Sequence, residues 1–444
     1  MNVDAKGRRQ LVLGAGATGR GVARFLTAQG GQVCVADRSD DALASADLPP
    51  TVARCRDDEV VDIGHFDTVV VSPGVARDHP QLLAAQRAGV PILSEIELAY
   101  RALEIPLLGV TGTNGKSTTT VLIGEMLRRA GLETFVGGNL GTPLIEACND
   151  GRPYRVAVVE VSSFQLEWVS TLRPRLAVLL NLTPDHLDRY ADMEEYGRAK
   201  ANLLRMQEAS DYAVLNRDDA WVWDQRRQTR AAVISFGRER VEFGGYLDGD
   251  AMVVRGPSAS PQRYELAQAP LQGAHNRENL LAAATAATVW GVAPEAIAAA
   301  VASVRGLPHR LELVRERDGV CYYDDSKGTN VGAVAKSVAS FPDNVILLLG
   351  GYDKGGDFAS LGALLDERVR AVIAFGAAGP EINRQIGDRV ETNVVAGLAD
   401  AVAAAAAIAR RGDRVVLSPG CASFDEFRDY QHRGRSFRAW VEAR

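Results

Sequence analysis

Residues 111–118 read Thr-Gly-Thr-Asn-Gly-Lys-Ser-Thr, preceded by the apolar run Ile105-Pro106-Leu107-Leu108-Gly109-Val110 and followed by a helix-like segment from Thr119 to Arg129. Glycines at 112 and 115 let the backbone curl so that successive N–H groups of Gly112, Thr113, Asn114 and Gly115 point inward. The nest so formed at a helix N-terminus receives an anion. Lys116 adds a mobile positive charge for the outer phosphates, Ser117 offers a hydroxyl to a magnesium ion, and Thr118 lies beside them. The strict phosphate-loop pattern asks for glycine six residues before the lysine, where this chain has Val110. Gly109, Gly112 and Gly115 supply the same flexibility. The bland alternative is a glycine-rich turn with a chance lysine. The strand before it and the helix after it favour a nucleotide-phosphate site in a parallel α/β domain.

Upstream, Gln10 to Leu13 runs into Gly14-Ala15-Gly16-Ala17-Thr18-Gly19, a G-x-G-x-x-G turn that opens a helix from Arg20 to Gln29. A second strand from Val33 to Ala36 ends at Asp37, followed by Arg38. Glycines for close approach to a diphosphate, then an acid for a ribose hydroxyl, form the dinucleotide fingerprint. The turn taken alone says NAD, or else a tight strand–helix junction that binds nothing. A strand from Thr68 to Val71 ends in Ser72-Pro73-Gly74 at the sheet edge where α/β domains bind ligands. The segment Ser94 to Ile105 reads as helix, and a domain boundary falls near residue 96.

Downstream, Gly137-Gly138-Asn139-Leu140-Gly141 is a glycine-rich turn carrying one amide side chain. The apolar strand Val156 to Val159 ends in Glu160, a carboxylate at a strand terminus beside the phosphate loop and suited to Mg²⁺. Leu176 to Leu180 leads into Asn181-Leu182-Thr183-Pro184-Asp185-His186, where Asp185 and His186 are placed for a second cation or the γ-phosphate. A helix from Met193 to Glu208 carries Lys200, by itself a solvated face residue. From Ala232 to Glu265 short runs with polar turns suggest a small antiparallel excursion. Two Ala-rich helices, Ala274 to Trp290 and Pro294 to Val304, follow, the first opening on His275-Asn276-Arg277-Glu278-Asn279. Gly306-Leu307-Pro308-His309-Arg310 reads as a hinge. A third α/β block places strands at Val320 to Tyr323, Asn344 to Leu349, Ala371 to Phe375 and Arg414 to Leu417. Polar loops follow three of them, at 324–330, 350–354 and 418–425.

The 444 residues suit about three domains, and 46% hydrophobic with 24% charged residues is ordinary for a globular protein. A net charge of −6 argues against a nucleic-acid binder and against an anionic-membrane protein. The apolar run near the start is too short for a signal peptide, and no run could span a bilayer. Five scattered cysteines without a C-x-x-C pair fit a reducing cytoplasm, with neither a disulfide framework nor a zinc site.

Three sheet-edge sites in one chain suggest an ATP-driven joining enzyme. The chain resembles the Mur ligase family over nearly its full length. The marks are GAGATG at 14–19, SPG at 72–74, GVTGTNGKST at 109–118, GGNLG at 137–141 and EVSSFQLE at 160–167. They continue with NLTPDHLDRY at 181–190, HNRENL at 275–280, GLPHR at 306–310, DSKGTN at 325–330 and LSPGCASFDEF at 417–427.

The resemblance, closest to the D-glutamate-adding members, implies three domains: a Rossmann-like UDP-sugar domain over 1–96, a central phosphate-loop ATPase domain over 97–306, and a Rossmann-like amino-acid domain over 307–444. It implies a cytoplasmic, monomeric enzyme without a membrane anchor, taking UDP-MurNAc-L-Ala, D-glutamate and ATP with two Mg²⁺. Gly14, Gly16, Gly19, Asp37, Arg38, Ser72, Gly74 and Asn139 would then meet the UDP-substrate, in place of NAD. Residues 112–118, Asn276, Asn279, Arg310 and Asp325 would hold ATP. Ser117, Glu160, His186 and Lys200, the last as a carbamate, would serve the metals. Lys116, His186 and Lys200 would carry catalysis. Lys327, Thr329, Lys354, Ser423 and Phe424 would take D-glutamate, with Tyr430 alongside. Gly328 and Gly420 stand where alanine is expected, which bears on loop stiffness. The nearest alternative is a sister ligase using another amino acid, and a dehydrogenase would leave Glu160, His186 and the third-domain loops idle.

Overall fold

The computed structural model describes residues 5–45, 47–58, 62–187, 189–256, 260–271, 273–305, 308–353 and 355–444. The hinge glycine Gly306, Leu307 and Lys354 lie outside the described residues. The chain divides into two compact units, 1–269 with 278–304 and 270–277 with 305–444. The first carries two sheets and the second carries one, so three sheet domains are present.

In the first sheet five parallel strands lie in the order Ala53–Arg56, Gln32–Asp37, Arg9–Leu13, Thr68–Val71, Ile92–Ser94. Leu13 pairs with Ala36 on one side and Val71 on the other, so the chain reverses direction of build-up beside Arg9–Leu13. Such a switch point opens a crevice at the carboxyl ends of the two central strands, between Gly14 and Ser72.

The second sheet has nine strands. Thr134–Gly138, Val156–Glu160, Leu107–Thr111, Leu176–Leu179, Tyr212–Asn216, Ala232–Gly237 and Gly244–Asp248 are parallel in that spatial order. Ala251–Arg255 and Gln262–Glu265 then add antiparallel. The expected antiparallel excursion from Ala232 is corrected accordingly. Ala232–Gly237 joins the main sheet in parallel, and only the final two turns reverse. Pairing partners are a long-range property that alternation does not reveal. Leu107–Thr111 and Val156–Glu160 are buried at every position, as strands covered by helices on both faces must be. Leu107–Thr111 lies between Val156–Glu160 and Leu176–Leu179, so the phosphate loop, Glu160 and Leu180–Asn181 emerge side by side.

The third sheet has the order Glu312–Arg317, Val320–Asp324, Arg414–Gly420, Val345–Gly350, Val369–Phe375, Thr392–Val395, with only the first strand antiparallel. Asp324 pairs with Leu417 and Gly350 with Gly420, which puts three strand ends and their loops next to one another. The strands Glu312–Arg317 and Thr392–Val395 go beyond those the sequence pattern predicts. Both lie at sheet edges with mostly exposed or half-buried residues, so they lack a continuous apolar run. No helix among the described residues is long and apolar enough to cross a membrane.

Candidate functional site

The helix Lys116–Arg129 begins on Gly115, whose φ of 85° lies in the left-handed region that glycine occupies without penalty. The loop before it is laced to the neighbouring strand end. Thr113 N–H donates to the Asn181 carbonyl at 2.9 Å, and Asn114 N–H to Asn181 Oδ1 at 2.8 Å. Asn181 Nδ2 returns a bond to the Asn114 carbonyl at 3.1 Å, and Thr183 N–H donates to Thr113 Oγ1 at 3.0 Å. Lys116 Nζ donates to the carbonyls of Gly112 and Thr113 at 3.0 and 2.8 Å.

Ser117 Oγ donates to Glu160 Oε2, and Asn139 Nδ2 donates to Glu160 Oε1 at 2.8 Å. Lys200 is 2% exposed, so the expectation of a solvated helix lysine does not hold for it. Its Nζ reaches the Gly112 carbonyl at 2.8 Å and lies 4.4 Å from the Tyr196 ring centroid. Burial, reinforced by the Lys116 charge and opposed by Asp185 and Glu160, holds the Lys200 amine well below the usual lysine range. The Tyr196 hydroxyl donates to Thr113 Oγ1 at 3.3 Å. His186 adopts φ 56°, and its ring meets Phe164 edge-on with centroids 4.7 Å apart.

In the first sheet's crevice, a Cβ on Gly14 would come 2.8 Å from Ser72 Oγ, a buried hydroxyl without a hydrogen-bond partner among the described residues. Gly16 and Gly74 face open space, so glycine there leaves room for a ligand instead of relieving a clash within the chain. Gly19 presses against the Gly14 carbonyl, which fixes the helix–strand approach. Asp37 accepts the Ala15 N–H at 2.7 Å and thereby braces the turn, while Arg38 is largely exposed and pairs with Asp57 at 3.4 Å.

In the second unit, Asp325 is buried and accepts from Ser337 and Ser418 hydroxyls at 2.5 and 2.7 Å. Burial pushes its carboxyl up to about 6. Arg310 is near enough to favour the charged form. Gly328 has a close reason to lack a side chain, since a Cβ would come 2.6 Å from Asp325 Oδ2. Lys327 Nζ lies 4.0 Å from the Tyr430 ring centroid. Ser423 is buried, Thr329 is half-buried, and Phe424 is 70% exposed. Arg433 is fully buried and clasps two loops. It donates to Ser326 Oγ and O at 3.0 and 2.9 Å, and to the Cys421 and Ala422 carbonyls at 3.1 Å each. Asn276 and Asn279 share the helix Ala274–Trp290. Asn279 belongs to the first unit, where its Oδ1 accepts from Thr119 at 3.5 Å, and Asn276 belongs to the second.

Comparison with known proteins meets this geometry along the whole chain. Residues 8–94 match the Mur ligase MurD-like N-terminal domain, 110–287 the Mur ligase middle domain, and 309–421 the Mur ligase glutamate ligase domain. The UDP-N-acetylmuramoylalanine--D-glutamate ligase of Geobacter metallireducens is 45% identical, over 99% of this chain and 98% of its own. That of Syntrophus aciditrophicus is 42% identical, over 99% of both. The chain belongs to the Mur ligase family. Among solved structures, a pseudomurein peptide ligase type C from Methanothermus fervidus superposes with a TM-score of 0.63 at 17% identity, covering 98% of this chain and 100% of its own. The UDP-N-acetylmuramate-alanine ligase of Thermotoga maritima gives 0.61 at 18%, covering 98% and 99%. At such identity these two speak for the Mur ligase fold alone.

Sequence reasoning missed several parts of this Mur ligase site. Asn181 and Thr183, on which the phosphate loop hangs, carry no signal of that role in their own segment. Tyr196 and Arg433 also belong to the site. A tyrosine one helical turn before Lys200, and so on its face of the helix, was the available signal for Tyr196. Nothing local signals Arg433.

Proposed function

We propose that this Mur ligase joins D-glutamate to the L-alanyl carboxylate of UDP-MurNAc-L-Ala, driven by ATP, in the cytoplasm and as a monomer. The observation that carries the reading is the cluster of Lys116, Ser117, Glu160 and Lys200 at one strand edge, in a chain 42–45% identical over its length to the two D-glutamate ligases named above. The division of labour follows the boundaries 1–96, 97–306 and 307–444, for UDP-substrate, ATP and D-glutamate respectively.

The donor set fits a divalent cation. Ser117 and Glu160 already share one hydrogen bond, which a cation would replace by two oxygen ligands. Ser117, Glu160, His186 and Lys200 would hold two Mg²⁺, which when bound offset the charge of the transferring phosphoryl group. Carbamate formation requires the unprotonated amine, which adds carbon dioxide and releases one proton, and burial shifts Lys200 in that direction.

The L-alanyl carboxylate attacks the γ-phosphorus and ADP leaves, giving an acyl phosphate. Lys116, freed from the loop carbonyls, follows the phosphate charge. The D-glutamate amine then attacks the acyl carbon, and phosphate leaves and takes the proton that the amide nitrogen gives up. Lys327 and Lys354 are suited to the carboxylates of D-glutamate, with Thr329, Ser423 and Phe424 around it, and Arg433 holds the loops that carry Lys327 and Ser423 in register. Asn276, Asn279, Arg310 and Asp325 take the nucleotide.

The test is release of phosphate in a purified reaction. Release should require ATP, UDP-MurNAc-L-Ala and D-glutamate together and be indifferent to nicotinamide nucleotides. Equal turnover with L-alanine and UDP-MurNAc, or with a diamino acid, would transfer the chain to a sister ligase.

A further inference from the structure

Arg189, three residues past His186, engages its guanidinium on every side. Nε and Nη2 donate to Glu167 Oε1 and Oε2 at 3.0 and 2.6 Å. Nη1 donates to the Val75 carbonyl at 3.0 Å, and Cζ lies 4.3 Å from the Phe164 ring centroid. The arginine side chain is 13% exposed and its Glu167 partner 3%. Glu167 also accepts from the Tyr190 hydroxyl at 2.7 Å, so the pair is fixed from a second direction.

Each end of this clamp reaches a different ligand region. Val75 closes the turn begun at Ser72, its N–H donating to the Ser72 carbonyl at 3.1 Å. Phe164, on the other side, carries the His186 ring edge-on. Arg189 N–H donates to the His186 carbonyl at 3.0 Å. A non-glycine residue at φ 56° depends on its surroundings to stay there. A second tie runs parallel: Arg77 Nη1 meets Glu195 Oε1 at 2.5 Å, on the helix Met193–Ala201 that bears Lys200.

The geometry points to Arg189 as a positioning residue that couples occupation of the Ser72–Gly74 turn by the UDP-substrate to the pose of His186, and through it to divalent-cation binding. The inference rests on the functional reading above. A planar fork with two bonds to one carboxylate and a third to a carbonyl has little slack. A displacement of Val75 is followed by the guanidinium or breaks a bond, and a guanidinium that moves shifts against the Phe164 ring, on which the His186 ring rests. A lysine ammonium is a point charge without this fork, so it serves Glu167 or Val75 but not both in this geometry.

Coupling of this kind is reciprocal: the substrate tightens the cation by the same factor as the cation tightens the substrate. The experiment measures Mn²⁺ binding by loss of the free-ion paramagnetic signal and UDP-MurNAc-L-Ala binding by calorimetry, each with and without the other, in the presence of ADP. The unaltered protein should show mutual tightening of about fivefold or more. Arg189→Lys should bring the factor close to one while leaving ADP affinity as it was. Phe164→Leu, which removes the ring but spares the Glu167 and Val75 bonds, should lower the factor in the same direction and serves if the arginine variant does not fold. An unchanged factor in the folded Arg189→Lys protein, or no mutual tightening in the unaltered one, overturns the proposal. Failure of the unaltered protein to bind UDP-MurNAc-L-Ala at all would sink the functional reading as well, which separates the two.

Discussion

Two glycines with nearly the same backbone conformation allow the phosphate loop to be tested against its own control. Gly115 has φ 85° and Gly131 has φ 80°, so alanine at either adopts the left-handed region at a cost of about 1–2 kcal/mol, partly offset by about 0.4–1 kcal/mol from a stiffer unfolded chain. Their surroundings differ. A Cβ on Gly131 meets nothing within 4 Å, whereas one on Gly115 overlaps the Asn279 side-chain oxygen. Asn279 is buried and bonded to Thr119, so displacing it adds the penalty of an unsatisfied buried polar group, about 1–3 kcal/mol. Gly131→Ala should therefore lose about 1 kcal/mol and Gly115→Ala about 2 kcal/mol more, read by urea denaturation. Calorimetric titration with ADP should show Gly115→Ala binding at least about tenfold more weakly, since about 1.4 kcal/mol suffices, and Gly131→Ala binding normally. Equal losses of stability for the two variants, or normal ADP affinity in Gly115→Ala, would refute the reasoning.

If Lys200 acts as the proposed carbamate, Lys200→Ala should lose ligase activity and regain part of it when acetate or another short carboxylic acid supplies the missing oxygens; phosphate release measures this, and no rescue at any concentration counts against carbamylation. Glu95 accepts the Ile145 N–H at 2.7 Å, and burial pushes its carboxyl up to about 7. The folded state thus keeps a proton that the unfolded chain releases, and the associated stability is present below about pH 4.5 and lost as pH rises through 7. From pH 4.5 to 7.5 the stability difference should move in favour of Glu95→Gln by on the order of 2 kcal/mol, followed by denaturant melts at each pH. Arg433→Met should destabilise the second unit by about 3 kcal/mol and raise the D-glutamate half-saturation concentration; a loss under about 1 kcal/mol would argue against the clasp.

Local signals made much of the molecule legible. Glycine turns at 14–19 and 111–118 and buried runs such as Val156–Glu160 announce parallel strands entering helices, because the pattern and the conformation occupy the same few residues. The edge strands Glu312–Arg317 and Thr392–Val395 escaped because a half-exposed strand needs no apolar run. The burial of Lys200 was invisible for a related reason: residue type predicts exposure, and only packing against Tyr196 and the Gly112 carbonyl overrides it. Arg433 and Arg189 were beyond reach of the sequence, their partners lying up to 107 and 114 residues away.

The lacing between 113–114 and 181–183 also defines what could be moved to another protein. Transplanted by itself into a foreign sheet, TGTNGKST would leave the Asn114 N–H and the Thr113 hydroxyl without the Asn181 and Thr183 groups that now receive or supply their bonds. The smallest graft that keeps its shape is a pair of segments from adjacent strands, and natural replacement of Asn114, whose Nδ2 donates to Thr183 Oγ1 at 3.2 Å, should be accompanied by change at Thr183.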